Sequence, residues 1–257
     1  MTDPLFSLAG KTALVTGGGT GIGAMIAAGL VRRGVKTYIA GRDPARIAES
    51  ASRLSQGGTC IGLSGDFSHE AGPPELASEF ARREERLHIL VNSAGTSATG
   101  SLAEMSAADW DLVFDVNLRS VFFLTRELLP QLRAAASEQD PARIINLGSI
   151  GGLHVPNWEA HSYGASKAAL HHLTRSLAKA LGRDRITVNA IAPGPFPSGL
   201  TDTASEAVKA SIAAHVPLGR PGAAEDVEGA VVFLASRAGA YVNGTTIPLD
   251  GGYIGAL

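Results

Sequence analysis

Tyr163 and Lys167 stand four residues apart in the stretch HSYGASK, residues 161–167, which opens a segment with helical periodicity. On a helix, positions i and i+4 lie one above the other on a single face, so the phenol and the ammonium can reach one common point. A free tyrosine has a pKa near ~10, and a close ammonium stabilises the phenolate. The pair is therefore either a proton donor tuned by its neighbour or a chance pairing on a surface, and the rest of the chain decides.

A glycine-rich turn follows the first apolar run. TALVT, residues 12–16, leads into GGGTGIG, residues 17–23, and then into a helical pattern. Glycine permits a tight turn and lets backbone N–H groups approach a pyrophosphate at the N-terminus of the next helix, so the turn indicates a dinucleotide site. The triplet GKT at 10–12 resembles the end of a P-loop, but it precedes the strand, and Leu5 stands where that motif needs glycine. We reject the P-loop.

The end of the second apolar run indicates which dinucleotide is bound. NAD sites usually carry an acidic residue there, ~20 residues beyond the glycine turn, to hold the ribose 2′-hydroxyl. Here the run ends in YIAGRD, with Gly41 at that place and Arg42 next. A guanidinium pairs with a 2′-phosphate, so we expect NADP(H) rather than NAD(H). The alternative is that Arg42 is a solvated loop charge. Asp43 is better explained as the cap of a helix that opens with Pro44.

Short β-branched apolar runs alternate with helical patterns along the chain. Such runs predict a parallel sheet of about seven strands covered by helices on both faces, which is a doubly wound α/β Rossmann fold. The predicted strands are 12–16, 35–40, 59–63, 88–92, 143–148, 186–192 and 245–250. Gly34 and Gly182 are expected at the left-handed C′ positions that end two helices. Ligands of such sheets bind outside the carboxyl ends of the strands, where the motifs above lie.

The composition excludes several classes of protein. The 257 residues are 45% hydrophobic and 18% charged, with a net charge of −2, which favours a globular chain and indicates neither nucleic acid nor an anionic membrane as partner. One cysteine, Cys60, rules out an internal disulfide and suits a reducing cytoplasm. We see no signal peptide, no membrane span and no linker, so residues 1–257 are expected to form one cytoplasmic domain. Seven histidines show no metal-binding spacing, and no metal is expected.

Eight short motifs together resemble the single-domain short-chain dehydrogenase/reductase family across nearly the whole chain. They are TGGGTGIG (16–23), GDF (65–67), NSAG (92–95), VN (116–117), LGS (147–149), YGASK (163–167), APG (192–194) and DGG (250–252). Within that family, the stretches FSLAGKTALVTGG, PARIINLGS, APGPFPSGLT and AGAYVNGTTIPLDGG resemble bacterial NADPH-dependent β-ketoacyl reductases of the rhamnolipid-associated kind.

The resemblance implies a catalytic role for four residues. Tyr163 would protonate the carbonyl oxygen as hydride arrives from the nicotinamide. Lys167 would lower the pKa of that phenol and hold the nicotinamide ribose, and Ser149 would hydrogen-bond the substrate oxygen. Asn117 would position a water that carries protons to Lys167.

The resemblance also implies the contacts of an NADP(H) cofactor. The residues expected to bind it are Gly17, Gly19, Thr20, Gly21, Ile22, Gly23, Arg42, Asp66, Phe67, Asn92, Ala94, Gly95, Tyr163, Lys167, Pro193, Gly194, Phe196 and Ser198. Among them, Asp66 would bond the adenine amine and Asn92 would run beside the adenine ribose. Thr20 stands where some NADPH enzymes of the family carry a basic residue, so Arg42 would provide most of the 2′-phosphate recognition.

The expected substrate is a ketone, above all a 3-ketoacyl thioester, which would be reduced to the secondary alcohol. The side chains expected to line its pocket are mixed to apolar and lack a cluster of cations: Ser97, Ala98, Thr99, Leu153, His154, Val155, Trp158 and residues 196–215. Alternatives are an NAD(P)-dependent dehydrogenase of a sugar, polyol, steroid or other secondary alcohol, and a non-catalytic NADP-binding sensor.

Two kinds of partner are expected. Arg183 and Arg185 follow the Tyr163 helix, near where carrier proteins dock in related ketoacyl reductases, so an acyl carrier is one possible source of substrate. The helices at 108–135 and 158–182 carry small and apolar residues on more than one face, and in this family the corresponding helices pack against another subunit. A homotetramer is therefore expected; ordinary packing on the sheet is the alternative.

Overall fold

The computed structural model describes residues 3–155, 159–197 and 214–255, and its centre is a seven-stranded parallel sheet. The strand order is β3-β2-β1-β4-β5-β6-β7. The strands are β1 Thr12–Thr16, β2 Lys36–Gly41, β3 Cys60–Ser64, β4 Ile89–Asn92, β5 Ala142–Leu147, β6 Ile186–Pro193 and β7 Thr246–Leu249. Every predicted strand is present, and each boundary lies within one residue of the prediction. Continuous apolar runs mark strands that are buried on both faces, which is why the pattern was sufficient.

Helices cover both faces of the sheet, as predicted. They are α1 Gly21–Arg32, α2 Pro44–Leu54, α3 Gly72–Ala81, α4 Ala107–Phe114, α5 Ser120–Glu127, α6 Leu129–Ala135, α7 His161–Leu181 and α8 Ala224–Ala235. Helices α1, α2 and α8 pack with alternate strand residues such as Val15 in one core. The intervening residues, such as Leu14, form a second core with α3, α5, α6 and α7. No helix in the described part of the chain is long and apolar enough to cross a membrane.

Helix ends agree with the sequence in two places and differ in a third. Asp43 caps α2, since its carboxylate accepts hydrogen bonds from the next two free backbone N–H groups at 3.0 and 3.1 Å. Gly34 is left-handed with φ +74°. The prediction for Gly182 is wrong, because its φ is −59° and the chain continues into a 3₁₀ turn, Gly182–Asp184. Arg185, with φ +58°, is the left-handed residue that reverses the chain.

A π-helical turn, Asp115–Arg119, joins α4 to α5 and was not predicted. The sequence pattern there reads as a plain helix pair. Such turns insert one residue into a helix and often occur at functional sites. This turn places Asn117 in the interior, with no exposed surface.

The carboxyl edge of the sheet collects the loops that carry the motifs. The strand order reverses at β1, which pairs with β2 on one side and β4 on the other. The Thr16 hydroxyl fixes this junction by accepting hydrogen bonds from the N–H groups of Ser93 and Ala94, each at 3.0 Å. Ligands of doubly wound sheets bind at such a reversal.

Candidate active site

The turn after β1 has glycine at two positions that admit no side chain. Gly17 is left-handed, with φ +66°, and a Cβ on it would lie 2.9 Å from the backbone of Ala94. A Cβ on Gly23 would overlap the carbonyl oxygen of Gly17. Helix α1 begins at Gly21 in this turn, so its first N–H groups have no partner within the helix. The turn and helix end together form a cradle suited to a pyrophosphate.

A cavity of about 270 Å³ extends from this turn towards the ends of β2 and β3. The predicted cofactor residues that line it are Gly17, Gly19, Thr20, Arg42, Asp66, Phe67, Ala94 and Gly95. Arg46, in the first turn of α2, lines the same cavity. The cavity therefore offers an acidic and a basic region, which suit an adenine amine and a phosphate respectively.

Asp66 is held in its charged form. Burial pushes its pKa up, but hydrogen bonds from the Ser68 N–H at 3.0 Å and hydroxyl at 2.7 Å, with the nearby charges of His69 and Arg42, outweigh that effect. The net result is a lowered pKa. An ionised carboxylate accepts hydrogen bonds, which fits the predicted contact with an adenine amine.

A second cavity, of about 590 Å³, opens from the same glycine turn towards α7 and the end of β6. The predicted site residues that line it are Gly17, Thr20, Ile22, Gly23, Gly95, Ser149, Tyr163, Lys167, Pro193 and Gly194. Gly17, Thr20 and Gly95 line both cavities, so the two form one groove. The groove brings most of the predicted cofactor residues together with three of the four predicted catalytic residues.

Tyr163 and Ser149 lie in hydrogen-bond contact at the inner end of the groove. Ser149 follows β5 and opens a 3₁₀ turn, where its hydroxyl also accepts the Gly151 N–H at 3.0 Å. Burial raises the pKa of Tyr163, and the hydrogen bond with Ser149 partly opposes it. The phenol therefore keeps its proton at neutral pH, as a proton donor must.

Lys167 lies behind the phenol, with Nζ 5.7 Å from the centroid of the Tyr163 ring. Its ammonium donates to the Leu147 carbonyl at 2.7 Å, and burial lowers its pKa to about 8. The effect of Lys167 on the acidity of Tyr163 stays a prediction for the site with its cofactor bound; in the protein alone, burial raises the pKa of the phenol and Ser149 partly opposes it. The phenol of Tyr163 and the ammonium of Lys167 do reach the same cavity, as their spacing on a helix predicted.

Asn117 does not line the groove, and its predicted role in positioning a water stays a prediction. Its Oδ1 accepts the Thr96 N–H at 2.8 Å, while Nδ2 donates to the Thr96 carbonyl at 2.9 Å and to the Ser166 hydroxyl at 3.0 Å. Both amide hydrogens are therefore engaged within the protein.

Some residues predicted to bind the cofactor do not line either cavity of the groove. Asn92 is buried and donates to Asn146 Oδ1 at 2.9 Å, so its side chain does not reach a ribose. Phe196 is a core residue whose ring packs on Gly222, and its predicted contact with the carboxamide stays a prediction. Gly21 serves the turn, with φ +52°. Ser198 lies outside the described residues.

The residues predicted to line the substrate pocket do not all lie at one cavity. Ser97 lines the catalytic cavity, whereas Leu153, His154 and Val155 line a separate cavity of about 520 Å³ beside α7. Neither Ala98 nor Thr99 lines any of these three cavities. Trp158 and residues 198–213 lie outside the described part of the chain.

Several residues that line the groove were missed from the sequence, among them Thr96 and Arg46. Thr96 lines both cavities through the loop after β4, and no pattern marks it. Arg46 had a usable signal, since it stands four residues after Arg42 and one turn into a helix whose cap was recognised.

The fold, the glycine cradle and the paired Tyr163 and Lys167 define a nucleotide-binding oxidoreductase of the short-chain dehydrogenase/reductase class, and the chain belongs to that family. The family model described as enoyl-(acyl carrier protein) reductase matches residues 17–254. The rhamnolipids biosynthesis 3-oxoacyl-[acyl-carrier-protein] reductase of Pseudomonas aeruginosa is 46% identical over 252 residues, which cover 97% of this chain and 98% of the relative.

Solved structures agree with this assignment. The Pseudomonas aeruginosa RhlG/NADP active-site complex superposes with a TM-score of 0.95 at 45% identity, covering 98% of this chain and 99% of its own. The 2-dehydro-3-deoxy-D-gluconate 5-dehydrogenase of Escherichia coli K12 is a more distant relative, 37% identical over 256 residues, with 97% of each chain covered.

Proposed function

We propose that this protein is an NADPH-dependent reductase that converts a 3-oxoacyl thioester to the 3-hydroxyacyl thioester. The observation that carries the proposal is the continuous groove, with Arg42 and Arg46 at one end and Ser149, Tyr163 and Lys167 at the other. The choice of acyl thioester rests on the 3-oxoacyl-[acyl-carrier-protein] reductase similar to this chain over nearly its whole length.

The residues present fit an NADP(H) molecule. Gly17 and Gly23 allow the tight turn before α1, since a Cβ on either would clash with the backbone of Ala94 or of Gly17. This turn leaves the first N–H groups of α1 for a pyrophosphate. Arg42 and Arg46 would pair with the 2′-phosphate, and Asp66 would accept from the adenine amine. Lys167 would hold the nicotinamide ribose.

Bound NADPH would supply a hydride to the ketone carbon. The Ser149 hydroxyl would donate a hydrogen bond to the ketone oxygen and stabilise the charge that develops there. Tyr163 would then transfer its phenolic proton to that oxygen, which completes the alcohol and leaves a phenolate. The ammonium of Lys167 stabilises the phenolate until the phenol is protonated again.

The test is the loss of NADPH absorbance with a medium-chain 3-oxoacyl thioester. We expect turnover that is lost in Tyr163→Phe, and much less turnover with NADH. Tight NADPH binding with no turnover of any 3-oxoacyl thioester would contradict the proposal and leave the family assignment intact.

An acyl carrier protein is the proposed source of the thioester. Arg183 and Arg185 are both exposed after α7 and would face an acidic carrier. Replacing both by glutamate should raise KM for the carrier-bound substrate and leave KM for a coenzyme A thioester unchanged. An equal change for both substrates would count against carrier docking here.

A second candidate is oxidation of a sugar acid or another secondary alcohol. It is favoured by the 37% identity to the 2-dehydro-3-deoxy-D-gluconate 5-dehydrogenase of Escherichia coli K12. A panel of gluconates, polyols and 3-hydroxyacyl thioesters, assayed in both directions, separates the two candidates. A non-catalytic sensor is disfavoured because the proton donor and its lysine are both present in the groove.

We also propose a homotetramer of the whole chain, residues 1–257, taken as one domain. The outer side of α4 and α5 exposes Trp110 and Phe122, with 38% and 42% of their surfaces accessible, which is unusual for large apolar side chains. Light scattering should give four times the chain mass; a monomer mass would contradict this. The cytoplasmic location predicted from the sequence stays a prediction.

A further inference from the structure

Ser166 lies between the two residues of the catalytic pair in the sequence, but unlike them it does not line the groove. Tyr163 and Lys167 line the groove, whereas Ser166 is completely buried on the inner side of α7. Its hydroxyl donates to the carbonyl oxygen of Tyr163 at 2.8 Å and accepts from Asn117 Nδ2 at 3.0 Å.

The direction of this hydrogen-bond chain is fixed by backbone groups. The Thr96 N–H can only donate and its carbonyl can only accept, so together they orient the Asn117 amide with Oδ1 on the first and Nδ2 on the second. The remaining amide hydrogen points to Ser166, which must then direct its own single proton to Tyr163. All four groups are satisfied in only one arrangement.

The chain joins three separate segments of the site. Thr96 lies in the loop after β4, Asn117 in the π-helical turn and Ser166 in α7. The lysine lies near this junction, because a Cβ added to Gly95 would lie 3.4 Å from Asn117 Oδ1 and 3.6 Å from Lys167 Nζ. A shift of α7 along or about its axis would therefore break the bond from Asn117 Nδ2 to Ser166, which is the link of this chain between α7 and the rest of the site.

We propose that Ser166 is a positioning residue that sets the place of the Tyr163 phenol by linking its carbonyl group to Asn117 and the Thr96 loop. It touches neither substrate nor cofactor and acts through the first turn of α7. The proposal rests on the proposed reductase function. The π-helical turn then contributes to positioning the phenol, because it directs the Asn117 amide towards Ser166.

The test is Ser166→Ala, with Thr174→Val as the matched control. Thr174 is two turns further along α7 and equally buried, and its hydroxyl likewise accepts from an asparagine, Asn146, at 2.9 Å and donates to a helix carbonyl at 2.9 Å. Each variant loses one hydrogen bond from an asparagine and one to a helix carbonyl. Thermal unfolding measures how much stability each loss removes. If Ser166→Ala does not fold, Ser166→Cys makes the same comparison.

Ser166→Ala should lower kcat about tenfold, while KM and the NADPH dissociation constant stay within about twofold, because only the proton donor is displaced. Ser166→Thr, which keeps the hydroxyl, should recover most of the rate. Thr174→Val should keep the wild-type kcat. An unchanged kcat in Ser166→Ala, or an equal fall in Thr174→Val, would overturn the proposal.

A second readout does not depend on turnover. The titration of Tyr163, followed by tyrosinate absorbance and identified by its loss in Tyr163→Phe, should move to higher pH in Ser166→Ala. The reason is that a displaced phenol loses part of the Ser149 hydrogen bond that opposes the effect of burial. If the wild type reduces no 3-oxoacyl thioester, the proposed function fails and this titration alone decides the role of Ser166; an unchanged titration overturns it.

Discussion

Each polar side chain around the Tyr163 phenol is held by a backbone partner. The Lys167 ammonium bonds the Leu147 carbonyl, and the Ser149 hydroxyl bonds the Gly151 N–H. Groups fixed in this way need little reorganisation when charge develops on a substrate oxygen, which is the main source of electrostatic catalysis. Backbone anchoring also explains why these residues occur at fixed distances from strand and helix ends.

At the residue scale, the sequence predicted which side chains the groove brings together, whereas their catalytic roles stay predictions. The motifs YGASK and LGS, which resemble those of the family, marked Tyr163, Lys167 and Ser149, and the structure brings all three to one cavity. Asn117 was found too, but its amide serves Thr96 and Ser166, because a π-helical turn that no pattern indicates directs it inward. Hydrogen-bond direction depends on tertiary contacts, so it could not be derived from spacing.

The two arginines at the adenosine end should determine the preference for NADPH. Replacing Arg42 by alanine should raise the NADPH dissociation constant by about 10- to 100-fold, since a charge-assisted hydrogen bond contributes about 1.5–3 kcal/mol. Arg46→Ala should act in the same direction. NADH binding should change little in either variant, because NADH lacks the 2′-phosphate.

Fluorescence titration of both cofactors measures these effects. Arg53→Ala is the matched control, since Arg53 is an exposed arginine in the last turn of α2, the helix that carries Arg46 in its first turn. Equal weakening of NADPH and NADH binding in Arg42→Ala would contradict a role in recognising the phosphate.

At the scale of elements, the strands and the glycine turn were predictable, whereas some helix ends were not. Strands here are short apolar runs bounded by turns, and the carboxyl edge of the sheet follows from their parallel order. The end of α7 was misassigned because glycine also fits a right-handed turn, and the reversal occurs at Arg185. Local composition does not distinguish a helix that stops from one that tightens into a 3₁₀ turn.

Gly23→Ala tests whether the turn after β1 is shaped for a cofactor. The added methyl group would overlap the Gly17 carbonyl and lie 3.0 Å from the Ser93 hydroxyl, so the turn must shift. We expect NADPH binding to weaken at least about tenfold, because a shift of the turn misplaces the N–H groups that face the pyrophosphate. Isothermal titration calorimetry measures the change.

Gly229→Ala is the control for this substitution. Gly229 lies in α8, is exposed, and has no neighbour within 4 Å of its Cβ position. The alanine should leave NADPH binding unchanged and raise the free energy of unfolding by about 0.5–1 kcal/mol through helix propensity. Unchanged binding in Gly23→Ala would show that the turn does not hold the cofactor.

At the scale of the whole molecule, the two hydrophobic cores lie on opposite faces of one sheet. The chain also buries polar and titratable side chains. His171 is the example nearest to the active site, with 2% of its surface exposed. It lies on α7 one turn after Lys167, and its ring packs against Gly148 and Gly152 on either side of the Ser149 turn. Because the His171 imidazole is buried against the turn that carries Ser149, its protonation should destabilise the fold in acid.

Burial, helped by the positive charges of Lys167 and Arg175, lowers the pKa of His171 to about 4. The unfolded chain binds this proton near pH 6.5, so acid favours unfolding, and the stabilisation is complete above pH 6.5 and is lost as the pH falls towards 4. At about 1.36 kcal/mol per pH unit, His171 alone should account for a loss of about 3 kcal/mol over that range.

Urea unfolding of the wild type and of His171→Leu, from pH 7 to pH 4, measures this contribution as the difference between the two curves. Part of the acid dependence should remain in His171→Leu, because burial also lowers the pKa of His88. His172→Gln is the control, since His172 is the exposed neighbour on the same helix, and its curve should follow that of the wild type. If His171→Leu lost stability in acid as steeply as the wild type, the proton taken up on unfolding would have to bind elsewhere.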